Sequence, residues 1–321
     1  MNIVVTGGGG FLGTRLAAKL LEQGTLGGKR ISRLTLLDAA FPRDLPKDER
    51  LRIVTGDVSD KTVLEKAIAP DTDAVFHLAA VVSGQAEAEF DLGMRVNLDG
   101  TRLVLERLRQ CAHPPRIVFS SSVAAFGGAL PEVLDDSTTP APQTSYGTQK
   151  VIGEYLVSDY SRKGYVDGRS LRLPTIVVRA GRPNAAASSF ASSIIREPLN
   201  GEPSDCPVAA ETGVWLLSPR RVVEAFIHAH DLPAGAWGAN RVVNLPGITA
   251  SVSEMLGALK KLAGARAAER VAFKPDARIQ AIVRTWPVRF RTSRALEMGF
   301  RADPDVESVI RAYAEDADIR I

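Results

Sequence analysis

Tyr146 and Lys150 stand four residues apart in Tyr146-Gly147-Thr148-Gln149-Lys150, at the start of a stretch with helical patterning. On a helix that spacing puts a phenol and an ammonium on one face, a single turn apart. A phenol with an ordinary pKa near ~10 is a poor base at neutral pH, and a neighbouring cation stabilises its phenolate. Such a pair can take a proton from an alcohol. The spacing is common by chance; it gains meaning from Ser120-Ser121-Ser122, which follow the apolar run ending at Phe119. The C-terminal edge of a parallel strand is where open sheets hold their ligands, and a serine there can hold a substrate oxygen against the tyrosine. Ser122, Tyr146 and Lys150 are therefore the candidate catalytic set, with Ser122 and Tyr146 also touching substrate.

A second constellation lies at the N-terminus. Gly7, Gly10 and Gly13, with Phe11 and Leu12 between the last two, form a G-x-x-G-x-x-G turn. It joins an apolar strand at 2–6 to a helix at 11–23 that repeats Leu12, Leu16, Leu20 and Leu21. A dinucleotide pyrophosphate approaches backbone N–H groups at a helix N-terminus, and side chains would hold it away. A tight strand-to-helix turn is the structural alternative, but the strand and helix on either side favour the cofactor. Asp38 ends the second strand, where a carboxylate bonds the adenosine ribose and repels a 2′-phosphate. NAD is therefore expected over NADP, although Arg43 lies near enough to weaken the exclusion. Asp57 and Val58 are candidate adenine contacts, a turn being the equal alternative. Leu78, Ala79 and Ala80 let the backbone lie against the cofactor, while His77, inside a buried run, is expected to be structural.

The elements that must position these groups alternate. Strands at 2–6, 33–37, 51–54, 73–78, 116–119 and 170–173 are separated by helical patterns at 11–23, 63–68, 87–111 and 145–162. Asp60 is placed to cap the second of these helices. Such alternation predicts an α/β fold, a doubly wound parallel sheet with helices on both faces. After Val178 the rhythm changes to an Ala-, Ser-, Gly- and Pro-rich stretch with a short helix at 190–195. A helix at 219–229 and a strand at 241–245 follow, and the tail alternates helix and loop. The expected division is a dinucleotide-binding domain at 1–178 with a return segment near 218–245, and a smaller C-terminal substrate lobe at 179–217 and 246–321.

Composition excludes several classes. The 321 residues carry a net charge of only +3, with Lys and Arg scattered, so no nucleic-acid partner is expected. Cys111 and Cys206 have neither metal-ligand nor redox spacing, and no metal is expected. No apolar stretch approaches ~18 residues and no basic leader precedes the first strand, so no membrane partner and a cytoplasmic location are expected.

Taken as a series, Gly7-Gly10-Gly13, Asp38, His77-Leu78-Ala79-Ala80, Asn97-Leu98-Asp99-Gly100-Thr101, Ser122 and Tyr146/Lys150 resemble the extended short-chain dehydrogenase/reductases. That superfamily includes nucleotide-sugar epimerases and dehydratases. The resemblance covers most of the chain and implies a Rossmann domain, NAD as cofactor, and a homodimer built through helices of the sheet domain. It implies Tyr146 as general base, Lys150 on the nicotinamide ribose, Ser122 polarising the substrate oxygen, and Asn97 supporting the site. Asn97 and Leu173, the latter ending the sixth strand, are counted with the cofactor contacts, and Ser83 and Thr175 with the substrate. The family's usual Tyr-Gly after the serines is Phe126-Gly127 here, a lost hydroxyl that bears on substrate choice.

The segments at 171–179, 180–190 and 195–199 resemble the branch that oxidises the C2 hydroxyl of a small sugar acid with NAD. Arg179, Arg182 and Arg196 flank a Ser/Asn-rich stretch, and one of these guanidinium forks is expected to bind the carboxylate. Asn184, Ser188 and Ser189 are expected on the remaining hydroxyls. A nucleotide-sugar 4-epimerase or dehydratase and an L-threonine-type dehydrogenase stay open. So does a non-catalytic NAD-binding scaffold, a class that commonly loses the tyrosine or lysine.

Overall fold

A computed structural model describes residues 1–181 and 186–321. The chain enters with β1 (Asn2–Thr6), α1 (Phe11–Gln23), β2 (Arg33–Asp38), β3 (Leu51–Thr55), α2 (Lys61–Ala67) and β4 (Ala74–His77). It continues through α3 (Ser83–Ala88), α4 (Phe90–Gly93), a π-helical turn (Met94–Asp99), α5 (Gly100–Leu108), β5 (Arg116–Ser122), α6 (Ser145–Arg162) and β6 (Asp167–Leu173).

These strands make a seven-stranded sheet in the order β3-β2-β1-β4-β5-β6, closed at the far edge by β9 (Val242–Asn244). The pairings of β1 with β2 and β4, of β2 with β3, and of β4 with β5 are parallel. The order reverses at β1 and β4, which opens a crevice at the carboxyl ends of those strands. Both faces of the sheet are covered: Val4, Val75 and Ile117 on one face and Val5, Phe76 and Val118 on the other are at most 2% exposed. Helix α1 turns Leu16, Ala17, Leu20 and Leu21 inward at the spacing the sequence predicted. Asp60 caps α2, accepting from the Thr62 amide at 2.8 Å.

Two compact units divide the chain: residues 1–125, 144–172 and 223–243 in the first, and 126–143, 173–222 and 244–321 in the second. The second has its own core, including Val177, Ile194, Leu216, Met255 and Ile310. Its elements include β7 (Thr175–Ile176), α7 (Ser189–Leu199), β8 (Gly213–Leu217) and β10 (Ile248–Ser251), with β10-β8-β7 forming a small sheet. Helix α8 (Pro219–Asp231) leads back to the first unit.

Two expectations are corrected. The continuous helix at 87–111 is instead a broken run beginning at Ser83, interrupted at Glu89 and underwound by the π turn. The stretch after Val178 and the tail, read as loop and helix, also contain β8 and β10. Pairing with neighbouring strands, which no local pattern announces, decides them. Among the described residues no helix is long and apolar enough to cross a membrane.

Candidate active site

Helix α1 starts at Gly10, whose backbone is extended and which offers no side-chain cap. The first-turn N–H groups of this 13-residue helix therefore face outward with the positive end of its dipole. The three motif glycines do different work. A Cβ on Gly7, which has φ +72°, would lie 2.7 Å from the Ala79 amide nitrogen, and one on Gly13 would lie 2.1 Å from the Gly7 carbonyl oxygen. Those two let the chain fit itself. At Gly10 the nearest atom would be the Gly7 oxygen at 3.2 Å, so the helix end is left bare. The close approach that the sequence reading assigned to all three glycines thus belongs to Gly10. A pyrophosphate fits this cradle.

Beside it lies a cleft of about 430 Å³ lined by the predicted Gly7, Gly10, Asp38, Asp57, Val58, Leu78, Ala79 and Ala80. Leu37, Ala39, Gly56, Val81, Leu92 and Val96 also line it and were missed. The first four adjoin predicted residues. Leu92 and Val96 carried no signal, because the interrupted helix that turns them inward was read as continuous. Phe11, Leu12, Gly13, Asn97 and Leu173 are outside this lining.

Asp38 accepts from the Gly9 amide at 3.0 Å and the Ala40 amide at 3.3 Å, which fixes its carboxylate at the cleft. Replacing Asp38 with Ala is expected to weaken NAD and to cut the NAD-over-NADP preference about tenfold, since one fixed negative charge facing the 2′-position is lost. Steady-state kcat/KM with each cofactor measures this, and an unchanged ratio removes Asp38 from the ribose site. Asp57 accepts from the Ser59 amide at 2.8 Å and the Ser59 hydroxyl at 2.7 Å, and pairs with Arg95. Burial opposes its charge, but the Ser59 and Arg95 donors outweigh burial and hold its carboxyl below the usual range.

Strand β5 carries the three serines past its expected end, and its pleat separates them. Ser120 donates to the His77 carbonyl at 3.2 Å, and the Ser121 hydroxyl is tied to Glu154. The Ser122 oxygen accepts from the Ala124 amide at 3.1 Å, and among the described residues its own O–H meets no acceptor. It is the serine available to a substrate.

Helix α6 is capped by Thr144, which accepts from the Gly147 amide at 3.1 Å, while Glu87 accepts from the Ser145 amide at 2.9 Å. One turn in, Lys150 is 3% exposed and donates to the Ser120 carbonyl at 2.7 Å. Its nitrogen lies 5.6 Å from the centre of the half-buried Tyr146 ring. Burial pulls the ammonium down to about 7, against the Glu154 carboxylate, which favours the charge. His77 is enclosed: Nδ1 meets the Thr6 hydroxyl at 2.6 Å and Nε2 the Thr101 hydroxyl at 2.9 Å. Burial, with Lys150 as the lesser cause, takes it down to about 3, so it is neutral and structural.

Asn97 sits on the π turn, a feature concentrated at functional sites. Its Oδ1 accepts from the Val81 amide at 2.7 Å, and its Nδ2 donates to the Val81 carbonyl at 3.1 Å and to Gln149 Oε1 at 2.8 Å. At 3% exposed it reaches the cleft only through Val81, so its assignment as a direct cofactor contact becomes a supporting one.

The expected substrate residues are more dispersed. Ser83 is half-buried at the first position of α3. In the second unit, Thr175 lies buried in β7. Arg179 is half-buried, donating to the Ile176 carbonyl at 3.2 Å and the Ser188 hydroxyl at 3.0 Å. Ser189 is half-buried and opens α7. Arg196 is 6% exposed and donates to the Arg179 carbonyl at 2.7 Å, the Ser193 hydroxyl at 3.1 Å and Glu197 at 2.6 Å. That set of bonds makes Arg196 a packing residue. Arg182 and Asn184 lie outside the described residues. Phe126 is 2% exposed and packs edge-on to Phe290 at 5.8 Å between ring centres. Among the described residues no three His, Cys, Asp or Glu side chains could hold a metal.

The chain is 57% identical over 321 residues to the D-erythronate dehydrogenase of Cupriavidus necator, covering 99% of each. It is 46% identical over 315 residues to that of Haemophilus influenzae, covering 98% of this chain and 99% of the relative. Among solved structures, a nucleoside-diphosphate-sugar epimerase from Agrobacterium tumefaciens superposes with a TM-score of 0.93 at 41% identity, covering 98% of this chain and 94% of that one. A family model described as the NAD dependent epimerase/dehydratase family matches residues 3–242, the span holding the glycine turn, Asp38, Ser122, Tyr146 and Lys150. The chain therefore belongs to the NAD-dependent epimerase/dehydratase family.

Proposed function

We propose that the chain oxidises the C2 hydroxyl of D-erythronate to 2-dehydro-D-erythronate with NAD. The observation that carries this reading is near-full-length likeness to two proteins named D-erythronate dehydrogenase. The grouping of Ser122, Tyr146 and Lys150 in one unit supports it. The Ser122 O–H bonds the substrate oxygen and fixes it against Tyr146. Tyr146 takes the hydroxyl proton, and Lys150, one turn away, stabilises the phenolate before the proton arrives. The cradle at Gly7 and Gly10, with Asp38, would hold NAD, which would supply the hydride acceptor for C2. Arg179 is the described arginine proposed for the substrate carboxylate, with Ser83, Thr175 and Ser189 proposed for its hydroxyls. Residues 1–178 with the return near 218–245 are proposed as the cofactor domain, and 179–217 with 246–321 as the substrate lobe. A homodimer is proposed from the family resemblance, and a cytoplasmic location is proposed beside it.

The name of the Agrobacterium structure favours a second reading, sugar-nucleotide epimerisation with the hydride returned in the same turnover. NADH absorbance separates the two. With purified protein and NAD, D-erythronate is expected to give stoichiometric NADH while its stereoisomers give little. UDP-hexose interconversion without net NADH, and silence on every sugar acid, would replace the proposal with the epimerase.

A further inference from the structure

Beneath the catalytic set lies a buried charged cluster that the steps above leave unused. Glu154 follows Lys150 by one turn on α6, as Lys150 follows Tyr146, so the three side chains form a ladder along one helix face. Glu154 is 3% exposed. Its two carboxylate oxygens accept a fork from Arg172 on β6, Nε at 2.8 Å and Nη2 at 2.7 Å, and it also accepts from the Ser121 hydroxyl on β5. One carboxylate thus joins the strand that presents Ser122, the helix that presents Tyr146 and Lys150, and the neighbouring strand.

A buried ion pair is weak evidence for stability, because desolvation offsets much of the attraction. A structural pin between β5 and α6 could have been apolar. What an apolar pin cannot supply is a negative charge one turn from a buried ammonium. The titratable groups acting on Lys150 are few. His77, from β4, is neutral over the working range and adds no compensating charge. Arg172 bears on Lys150 through Glu154. Of the charges around the ammonium, Glu154 is the one that favours its protonated form against burial.

We propose that Glu154 is a positioning residue for catalysis: held by Ser121 and Arg172, its carboxylate keeps Lys150 cationic beneath Tyr146 and thereby sets the pH at which the phenol becomes a base. The proposal rests on Tyr146 as the base and Lys150 as its partner. Those roles are tested separately by Tyr146→Phe, so failure of one is distinguishable from failure of the other. The sign follows from the ladder. Without the carboxylate, Lys150 loses its proton more readily, the phenolate loses its cation, and Tyr146 ionises only at higher pH.

The experiment is the pH profile of kcat/KM for NAD-dependent oxidation by the parent enzyme, Glu154→Gln and Glu154→Asp, with melting temperature measured alongside. Gln keeps the shape and hydrogen-bond acceptors but removes the charge; Asp keeps the charge and withdraws it by one methylene. The acid limb is expected to move up by about one pH unit in E154Q and by a smaller amount in E154D. Much of the lost E154Q rate should return at alkaline pH. A purely structural pin would lower the rate by one factor at every pH and leave the limb in place. Parallel profiles, or an E154D limb displaced as far as that of E154Q, overturn the proposal. If E154Q does not fold, E154D carries the test alone: a small upward shift supports the proposal, and an unmoved limb with a lower melting temperature overturns it.

Discussion

Replacing Tyr146 with Phe is expected to lower kcat about 10³-fold, the scale of losing a positioned acid–base group, while the Kd for NAD changes by less than about threefold. That factor corresponds to ~4 kcal/mol of transition-state stabilisation. The reasoning for the asymmetry is local. Phe keeps the ring that packs against the Lys150 ammonium, with 5.6 Å between nitrogen and ring centre in the parent. Lys150 also keeps its bond to the Ser120 carbonyl, and α6 keeps its Thr144 cap. The cleft lined by Gly7, Gly10 and Asp38 does not include Tyr146 and is untouched. Only the group that carries the proton is removed. Single-turnover NADH formation and a separate NAD titration check the two halves. A variant within tenfold of the parent kcat would show that another group is the base.

The cofactor half of the site was legible in the sequence because its information is local. Gly7, Gly10 and Gly13 lie within one turn, and Asp38 is marked by the end of a strand. Even so, the sequence could not distribute the glycines' roles, since what crowds Gly13 is the Gly7 carbonyl and what crowds Gly7 is the Ala79 backbone. The Tyr146–Lys150 pair was legible for the same reason, as was the helix bearing it, whose bounds match the predicted 145–162. Asn97 was located but its partners were not: from the π turn its amide bonds Val81 and Gln149, and no residue pattern announces that turn. Arg196 shows the opposite failure. It looked available for a carboxylate because its acceptors, Glu197 beside it and the Arg179 carbonyl, are assigned only by tertiary packing. Glu154 was passed over altogether, since a glutamate in a helix is unremarkable until Arg172 and Ser121 converge on it.

Gly13→Ala tests the other half of the site, and its expected effect is on fold and cofactor together. The added methyl would lie 2.1 Å from the Gly7 carbonyl oxygen and 2.8 Å from the Gly8 Cα. Both are backbone atoms, so no side-chain rotation relieves the clash. The chain must move α1 away from the turn after β1, and that separation costs about 3 kcal/mol, at the upper end for overpacking. A fall in melting temperature of roughly 4–5 °C follows for a chain of this size. The displaced helix also carries the bare N-terminus at Gly10 away from the turn that orients it. Affinity for NAD is therefore expected to fall by about a hundredfold or more, ~2.7 kcal/mol. Gly10→Ala makes the comparison informative. Its methyl would approach only the Gly7 oxygen, at 3.2 Å, so the fold should tolerate it while the pyrophosphate is pushed off the helix end. Thermal unfolding and NAD titration of the pair should show stability lost in G13A and kept in G10A, with affinity lost in both. Equal stabilities would mean that Gly13 serves the ligand rather than the chain, and full affinity in G10A would move the pyrophosphate away from α1.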